Sequence, residues 1–206
     1  MATAALWLLA SYAVGAIPTS HLVGRTVARI ELRAHGSGNL GATNLYRVLG
    51  WRYAVPVALF DIAKGAIPVL VFAPGASGST RFALACGVAA VVGHVFSVFV
   101  GFKGGKGVAT AAGAMLGLTP LAVGVAAVVW IVLVLLTGYV SLGSMAAAAV
   151  LPVAVYLLEG SVQPEILWIS IAIAAGVIVL HRRNIRRLVE GTENRFGRRA
   201  RSAPPP

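Results

Sequence analysis

The feature that most restricts this chain is its succession of apolar windows separated by short polar stretches. A helix needs about 20 apolar residues to cross a hydrocarbon core ~30 Å thick. Such windows fall at Leu6–Leu22, Tyr53–Phe72, Phe82–Val100, Leu121–Leu136, Leu142–Leu158 and Ile166–Leu180. The stretch from Gly107 to Gly138 is too long for one span at ~1.5 Å per residue. Thr119-Pro120 within it is a helix stop followed by a restart, so Val108–Leu118 becomes a short seventh. With 58% hydrophobic and only 11% charged residues, the expected solvent is a bilayer rather than water. The predicted fold is an all-α integral membrane protein with seven transmembrane helices, its N-terminus outside and its C-terminus cytoplasmic. Residues 1–197 are expected to form one helical domain. The basic, Pro-rich tail 198–206 is expected to be disordered against anionic headgroups.

Charge tests this arrangement. The net charge of +11 is gathered in a few short segments, as in cytoplasmic loops of membrane proteins. With seven spans, one face receives Arg25, Arg29, Arg33, Arg47 and Arg52, then Lys103 and Lys106, then the tail from Arg182 to Arg201. The other face receives Arg81, Glu159 and Glu165. Six spans would divide the basic loops between the faces, so seven is preferred and five is the fallback. Basic residues placed this way point to membrane lipids and not to nucleic acid as partners. The lone Cys86, inside an apolar run, supports neither a disulfide nor a cysteine metal site. The apolar stretch Ala2 to Ile17 lacks a basic leader and is expected to remain as a span. Small residues at Gly113 and Gly117, and in the run Ala146 to Ala149, suit close helix contact.

Three polar clusters interrupt the apolar pattern, all assigned to the basic face. The first is Gly36-Ser37-Gly38-Asn39-Leu40-Gly41-Ala42-Thr43-Asn44, with Arg47 three residues on. Its spacing matches a dinucleotide fingerprint, with Asp61 at the distance of the acidic partner. That motif needs a βαβ unit, and the neighbours here are membrane-length helices. The local physics remains: glycines let N–H groups converge, and Ser37, Asn39, Thr43 and Asn44 add donors beside a cation, a nest for phosphate. The alternative is a Gly-rich connector. The second cluster joins Gly93-His94 to Phe99 and to Gly101-Phe102-Lys103-Gly104-Gly105-Lys106-Gly107-Val108-Ala109-Thr110. It is not a Walker A loop, being one residue short and having Gly107 in the Ser/Thr place. A lysine pair among glycines at a helix start is an anion site by geometry and dipole, or else a positive-inside anchor. His94 is open to three roles: general base, phosphate donor or helix–helix hydrogen bonder.

The third cluster is His181-Arg182-Arg183-Asn184-Ile185-Arg186-Arg187-Leu188, then Gly191-Thr192-Glu193. His181 and Asn184 share a helix face, as do Asn184 and Arg187. Arg182, Arg183 and Arg186 read as headgroup contacts. The turn Tyr139 to Ser144 offers Ser141 and Ser144 as further donors on the same face. Asp61 and Lys64, one turn apart inside a span, are either functional or an ion pair holding the bundle.

These clusters in this order, with Tyr139-Val140-Ser141-Leu142 between the second and third, closely resemble the bacterial acyl-phosphate-dependent glycerol-3-phosphate acyltransferases. The likeness runs through nearly the whole chain, including Ile17-Pro18 and Asp61 to Gly65, and the strings GSGNLGATN and GFKGGKGVAT are long and specific. Ser97 stands where proline is expected, and Glu31-Leu32-Arg33 replaces an Asp-Ile-Arg-like approach to the first cluster. The resemblance implies transfer of a fatty acyl group from acyl phosphate to the 1-hydroxyl of glycerol 3-phosphate. The products would be lysophosphatidic acid and phosphate, the first step of phospholipid synthesis, on the cytoplasmic face of a bacterial inner membrane. It further implies that Ser37, Arg47, Lys106, His181 and Asn184 carry the reaction, with Ser144 beside them on the glycerol 3-phosphate side. Gly38, Asn39, Gly41, Thr43, Asn44, His94, Lys103, Gly104, Gly105, Gly107, Thr110, Ser141 and Arg187 would contribute to substrate binding. No cofactor or metal is implied, and the expected working unit is a monomer.

Several neighbouring chemistries are excluded by residue counts. No histidine is followed five residues later by Asp or Glu, and Asp61 is the only aspartate, so neither a His-x4-Asp acyltransferase nor a multi-aspartate metal site is available. Acyl phosphate is an activated mixed anhydride, so the expected catalysis is positioning and oxyanion stabilisation without an acyl-enzyme. The proton acceptor is His94, His181 or a phosphate oxygen of the donor, the last being favoured. A transporter for an anionic metabolite or a lipid-binding scaffold would use similar residue types.

Overall fold

The computed structural model describes residues 2–159 and 163–196, so the tail 198–206 lies outside the described residues. Among the described residues every regular element is helical: α1 (Ala2–Ala16), α2 (Thr19–Val27), α3 (Ala42–Leu49), α4 (Trp51–Ile67), α5 (Ala73–Ala76), α6 (Thr80–Val95), α7 (Val108–Leu116), α8 (Pro120–Thr137), α9 (Val140–Leu158), α10 (Pro164–Leu180) and α11 (Arg182–Val189). A π-helical segment, Pro68–Phe72, joins α4 to α5, and Val98–Val100 forms a 3-10 turn after α6.

Four helical stretches are long and apolar enough to cross a membrane: Trp51–Ala76, Thr80–Val100, Pro120–Thr137 and Val140–Leu158. Two bent pairs, Thr3–Ala16 with Thr19–Val27 and Pro164–Leu180 with Arg182–Val189, raise the number to six. The predicted seventh, Val108–Leu118, is the nine-residue α7, about 14 Å long at 1.5 Å per residue and short of a full helical span. The helix ends two residues early, at Leu116, but the break falls where the sequence placed it: the Thr119 N–H and hydroxyl both bond the Met115 carbonyl, and Pro120 starts α8. The surface is apolar in the manner of a lipid-facing bundle, with Leu135 and Leu136 79% and 77% exposed.

The first window, Leu6–Leu22, is not one straight helix. Pro18 lacks an N–H and disfavours helical backbone before it, and the chain bends by 42° between α1 and α2. The orphan carbonyls at that break are answered from elsewhere. Lys64 Nζ donates to the Ile17 carbonyl at 2.9 Å, and Ser97, at the position where proline was expected, donates its hydroxyl to the Ala16 carbonyl at 2.5 Å. Lys64 also pairs with Asp61 at 2.7 Å, and Thr19 Oγ1 donates to Asp61 at 3.3 Å. The intramembrane charged pair therefore staples the break.

Glycine sets how closely α4 and α7 cross. A methyl at Gly65 would overlap the Thr110 carbonyl oxygen, and one at Gly113 the Ile62 carbonyl oxygen. The bundle has two distinct ends. At one, Arg81 pairs with Glu165 at 2.7 Å, and Glu159 accepts from the Ala122 amide in the first turn of α8 at 3.0 Å. At the other, Arg33 clamps the connection after α6, donating to the carbonyls of Val100 at 2.6 Å and Lys103 at 2.8 Å. The three polar clusters meet at this second end.

Candidate active site

In the first cluster Asn44 acts as the internal template of its loop. It is 1% exposed and lies in the first turns of α3, where Asn or Asp side chains bond nearby backbone. Its Oδ1 accepts from the Ser37 amide at 2.7 Å, and its Nδ2 donates to the carbonyls of Leu32 and His35 at 3.2 and 3.0 Å. Gly36, at φ +59°, must be glycine twice over, because a methyl there would overlap Asn44 Oδ1. Ser20 of α2 pins the far side of the loop by donating to the Leu40 carbonyl at 2.7 Å. The loop is thereby shaped so that Ser37, Asn39, Gly41, Thr43 and, one turn on, Arg47 line a cavity.

The second cluster works differently. Gly104 and Gly105 donate their N–H groups to the Val95 and His94 carbonyls, at 2.9 and 3.2 Å, closing the end of α6. A methyl at Gly105 would overlap His94 Nε2, and one at Gly104 the His94 carbonyl oxygen. These glycines therefore pack against a helix end and form no phosphate nest. Lys103 is exposed and contributes only a carbonyl to Arg33. The loop's output is Lys106, whose Nζ donates to Asn184 Oδ1, and Gly107, at φ +73°, which starts α7.

The third cluster meets Lys106 through a bend of 55° between α10 and α11. Asn184 Nδ2 donates to Glu193 Oε1 at 2.8 Å; the same carboxylate accepts from Ser141 Oγ at 3.0 Å and from Arg187 Nε at 2.7 Å. Burial alone would raise the Glu193 carboxyl, but hydrogen bonds from Arg187, Asn184 and Ser141 outweigh it and hold the group below the usual carboxylate range. Burial pushes Lys106 down to about 8, against the pull of Glu193 and with the help of Arg187 and Arg47. Arg47 is lowered too, first by burial, while Glu193 works in the opposite direction. His181 uses Nδ1 on the Val177 carbonyl at 2.8 Å, which leaves Nε2 for the cavity. Ser144 donates to the Val140 carbonyl and accepts from the Trp130 indole at 3.3 Å.

The cavity has a volume of about 640 Å³ and is asymmetric. Its polar end holds Ser37, Asn39, Arg47, Lys106, Ser141, Ser144, His181 and Asn184. Its other walls are mostly apolar and come from α4, α7, α8, α9 and α10, among them Val55, Ala112, Trp130, Leu151 and Ile173, with Asp61 of α4 as a charged exception. Gly41, Thr43, Asn44, His94 and Gly107 also reach it. Gly38, Lys103, Gly104, Gly105, Thr110 and Arg187 do not. Gly38 closes a turn onto the His35 carbonyl, Thr110 sits behind His94 at 3.1 Å from Nδ1, and Arg187 is held by Glu193.

Two roles were not read from sequence. Glu193 is the hub of the network, and its only linear signal is an acid in a basic tail. Asp61 lies 4.0 Å from His94 Nδ1, a carboxylate neighbour that sequence spacing had denied to this histidine. Chemically, a confined space with two cations reaching one end and hydrocarbon walls at the other suits an amphiphile with an anionic head.

A family model described as glycerol-3-phosphate acyltransferase matches residues 5–191. Glycerol-3-phosphate acyltransferase of Geobacter sulfurreducens is 49% identical over 186 residues, 90% of this chain and 94% of that protein. Glycerol-3-phosphate acyltransferase 2 of Bacillus anthracis is 46% identical over 191 residues, 93% of this chain and 98% of that protein. Among solved structures, the glycerol 3-phosphate form of PlsY (YgiH), an integral membrane glycerol 3-phosphate acyltransferase, superposes with a TM-score of 0.87. It shares 37% identity over 94% of this chain and 96% of that one. Its lysophosphatidic acid form gives 0.83 and 36%, covering 94% and 95%.

Proposed function

The chain belongs to the glycerol-3-phosphate acyltransferase family, and from that premise we propose that it moves a fatty acyl group from acyl phosphate to the 1-hydroxyl of glycerol 3-phosphate. The products are lysophosphatidic acid and phosphate, and the reaction opens phospholipid synthesis. The observation that carries this reading is the divided cavity, cationic at one end and mostly apolar along the rest. Donor and product each join an acyl chain to a phosphate-bearing head, and only such a cavity seats both parts.

Ser37, Arg47, Lys106, Ser144, His181 and Asn184 hold glycerol 3-phosphate, and Asn39, Gly41, Thr43, His94 and Gly107 face the acyl phosphate. The hydroxyl oxygen attacks the acyl carbon, the carbon–oxygen bond to phosphate breaks, and the hydroxyl proton passes to a phosphate oxygen. The donor arrives activated, so the protein's part is alignment and charge stabilisation. His181, with Nδ1 committed to a backbone carbonyl and no carboxylate on it, is suited to orient substrate through Nε2. A transporter would gather these groups at mid-membrane, whereas here they crowd one end of the bundle.

The two unlike ends support seven passages, with α7 and residues 117–119 together making the short one. The end rich in arginine lies on the cytoplasmic side of the inner membrane, and the N-terminus lies outside. That residues of one chain line both parts of the cavity supports a monomer as the working unit. The test supplies purified protein in lipid with acyl phosphate and glycerol 3-phosphate, without metal or coenzyme A. Lysophosphatidic acid is the expected product; activity with acyl-coenzyme A alone would overturn the choice of donor.

A further inference from the structure

After α11 the chain does not leave the site. Gly191, at φ +69°, and the Thr192 amide, which donates to the Arg187 carbonyl at 2.8 Å, close the helix and turn residues 193–196 back across the polar end. This strap is tied at three separate places. Glu193, 6% exposed, is buried in the network of Ser141, Asn184 and Arg187. Arg195 lies over the Tyr139 ring at 5.1 Å, and its Nε donates to the Tyr139 hydroxyl at 3.1 Å. The Phe196 amide donates to the Gly138 carbonyl at 2.6 Å, and its ring stacks on Tyr46 of α3, with centroids 4.5 Å apart and planes 12° from parallel. The strap thus joins α11, the α8–α9 turn and α3.

Phe196 and Tyr46 both line the cavity beside Arg47, yet Phe196 is 47% exposed. A ring held so firmly and buried so incompletely is a wall rather than core. We infer that Phe196, stacked on Tyr46, closes the aqueous mouth of the cavity and keeps water away from the acyl donor, making both of them positioning residues for transfer to the glycerol hydroxyl. The inference rests on the proposed donor. A mixed anhydride reacts with water as it does with an alcohol: water oxygen bonds to the acyl carbon, the bond to phosphate breaks, and fatty acid and phosphate leave. Transfer rather than hydrolysis therefore requires exclusion of bulk water while the hydroxyl is aligned.

The experiment measures the ratio of free fatty acid to lysophosphatidic acid formed from acyl phosphate at fixed glycerol 3-phosphate, with spontaneous hydrolysis subtracted. This ratio does not depend on how much enzyme is folded. Phe196→Ala is expected to raise it at least fivefold and to raise KM for glycerol 3-phosphate more than it lowers kcat; Phe196→Tyr, which keeps the stack, is expected to hold the wild-type ratio. An unchanged ratio in Phe196→Ala, or an equal rise in both variants, overturns the inference. If Phe196→Ala is not recovered folded, Tyr46→Ala removes the other half of the stack and is read by the same criterion. A wild type inactive with acyl phosphate would sink the donor assignment, and the strap would then be scored by fatty-acid release from the donor the wild type accepts.

Discussion

The two glycine-rich loops look alike in sequence and do opposite work. In the first, Asn44 absorbs the awkward backbone groups of the loop, and the result is a shaped edge on which Ser37, Asn39, Gly41 and Thr43 face the cavity. In the second, Gly104 and Gly105 turn their amides toward the end of α6 and yield one lysine at the network. Glycine content alone does not make an anion nest; the destination of each N–H decides.

The strongest way to break this comparison is Gly105→Ala. Its methyl would overlap the His94 ring, so we expect a stability loss of ~2 kcal/mol or more and near-complete loss of turnover, read by thermal unfolding and product formation. Adding His94→Ala should restore part of the stability, whereas a loop that held phosphate with its amides would show no such rescue.

Asn44→Ala comes next. It leaves the Ser37 amide without its partner, at about 1–3 kcal/mol for a buried unsatisfied group, while the Leu32 and His35 carbonyls keep the His35 and Gly38 amides. The loop edge should loosen, with a higher KM for glycerol 3-phosphate in steady-state kinetics. A variant that kept the wild-type KM would mean that Asn44 does not shape that edge.

A smaller effect sharpens the role of the second loop's single output. Lys106, held at about 8, carries its charge below that pH and loses it above. KM for glycerol 3-phosphate should therefore rise as pH passes upward through about 8, and Lys106→Arg should flatten the rise, because guanidinium stays charged. The least effect belongs to Lys103→Ala: the side chain is exposed and away from the cavity, so activity should stay within about twofold, as for surface changes generally.

Much of the architecture was legible along the chain. The apolar windows, the stop at Thr119-Pro120 and the collection of basic residues at one end follow from length, hydropathy and charge, all linear quantities. The three clusters were recognisable as one site because each carries donors and cations and all three were assigned to the same basic face. Roles within the clusters were not legible. Gly104 and Gly105 read as nest glycines until their amides were found on His94 and Val95. Ser97 read as a mere departure from a pattern until its hydroxyl was found on the Ala16 carbonyl.

By itself the sequence determined that this chain lives in a bilayer as a helical bundle, that most of its cations lie in a few short polar segments, and that its chemistry concerns phosphate. These conclusions depend on how many apolar and charged residues occur and how they are spaced, which no folding can alter. The tertiary structure alone decided that Lys106 meets Asn184 across 78 positions, that Glu193 gathers Ser141, Asn184 and Arg187, and that Phe196 lies on Tyr46. Such pairings are set by how helices cross and where they bend, so they enter only when the whole bundle has packed.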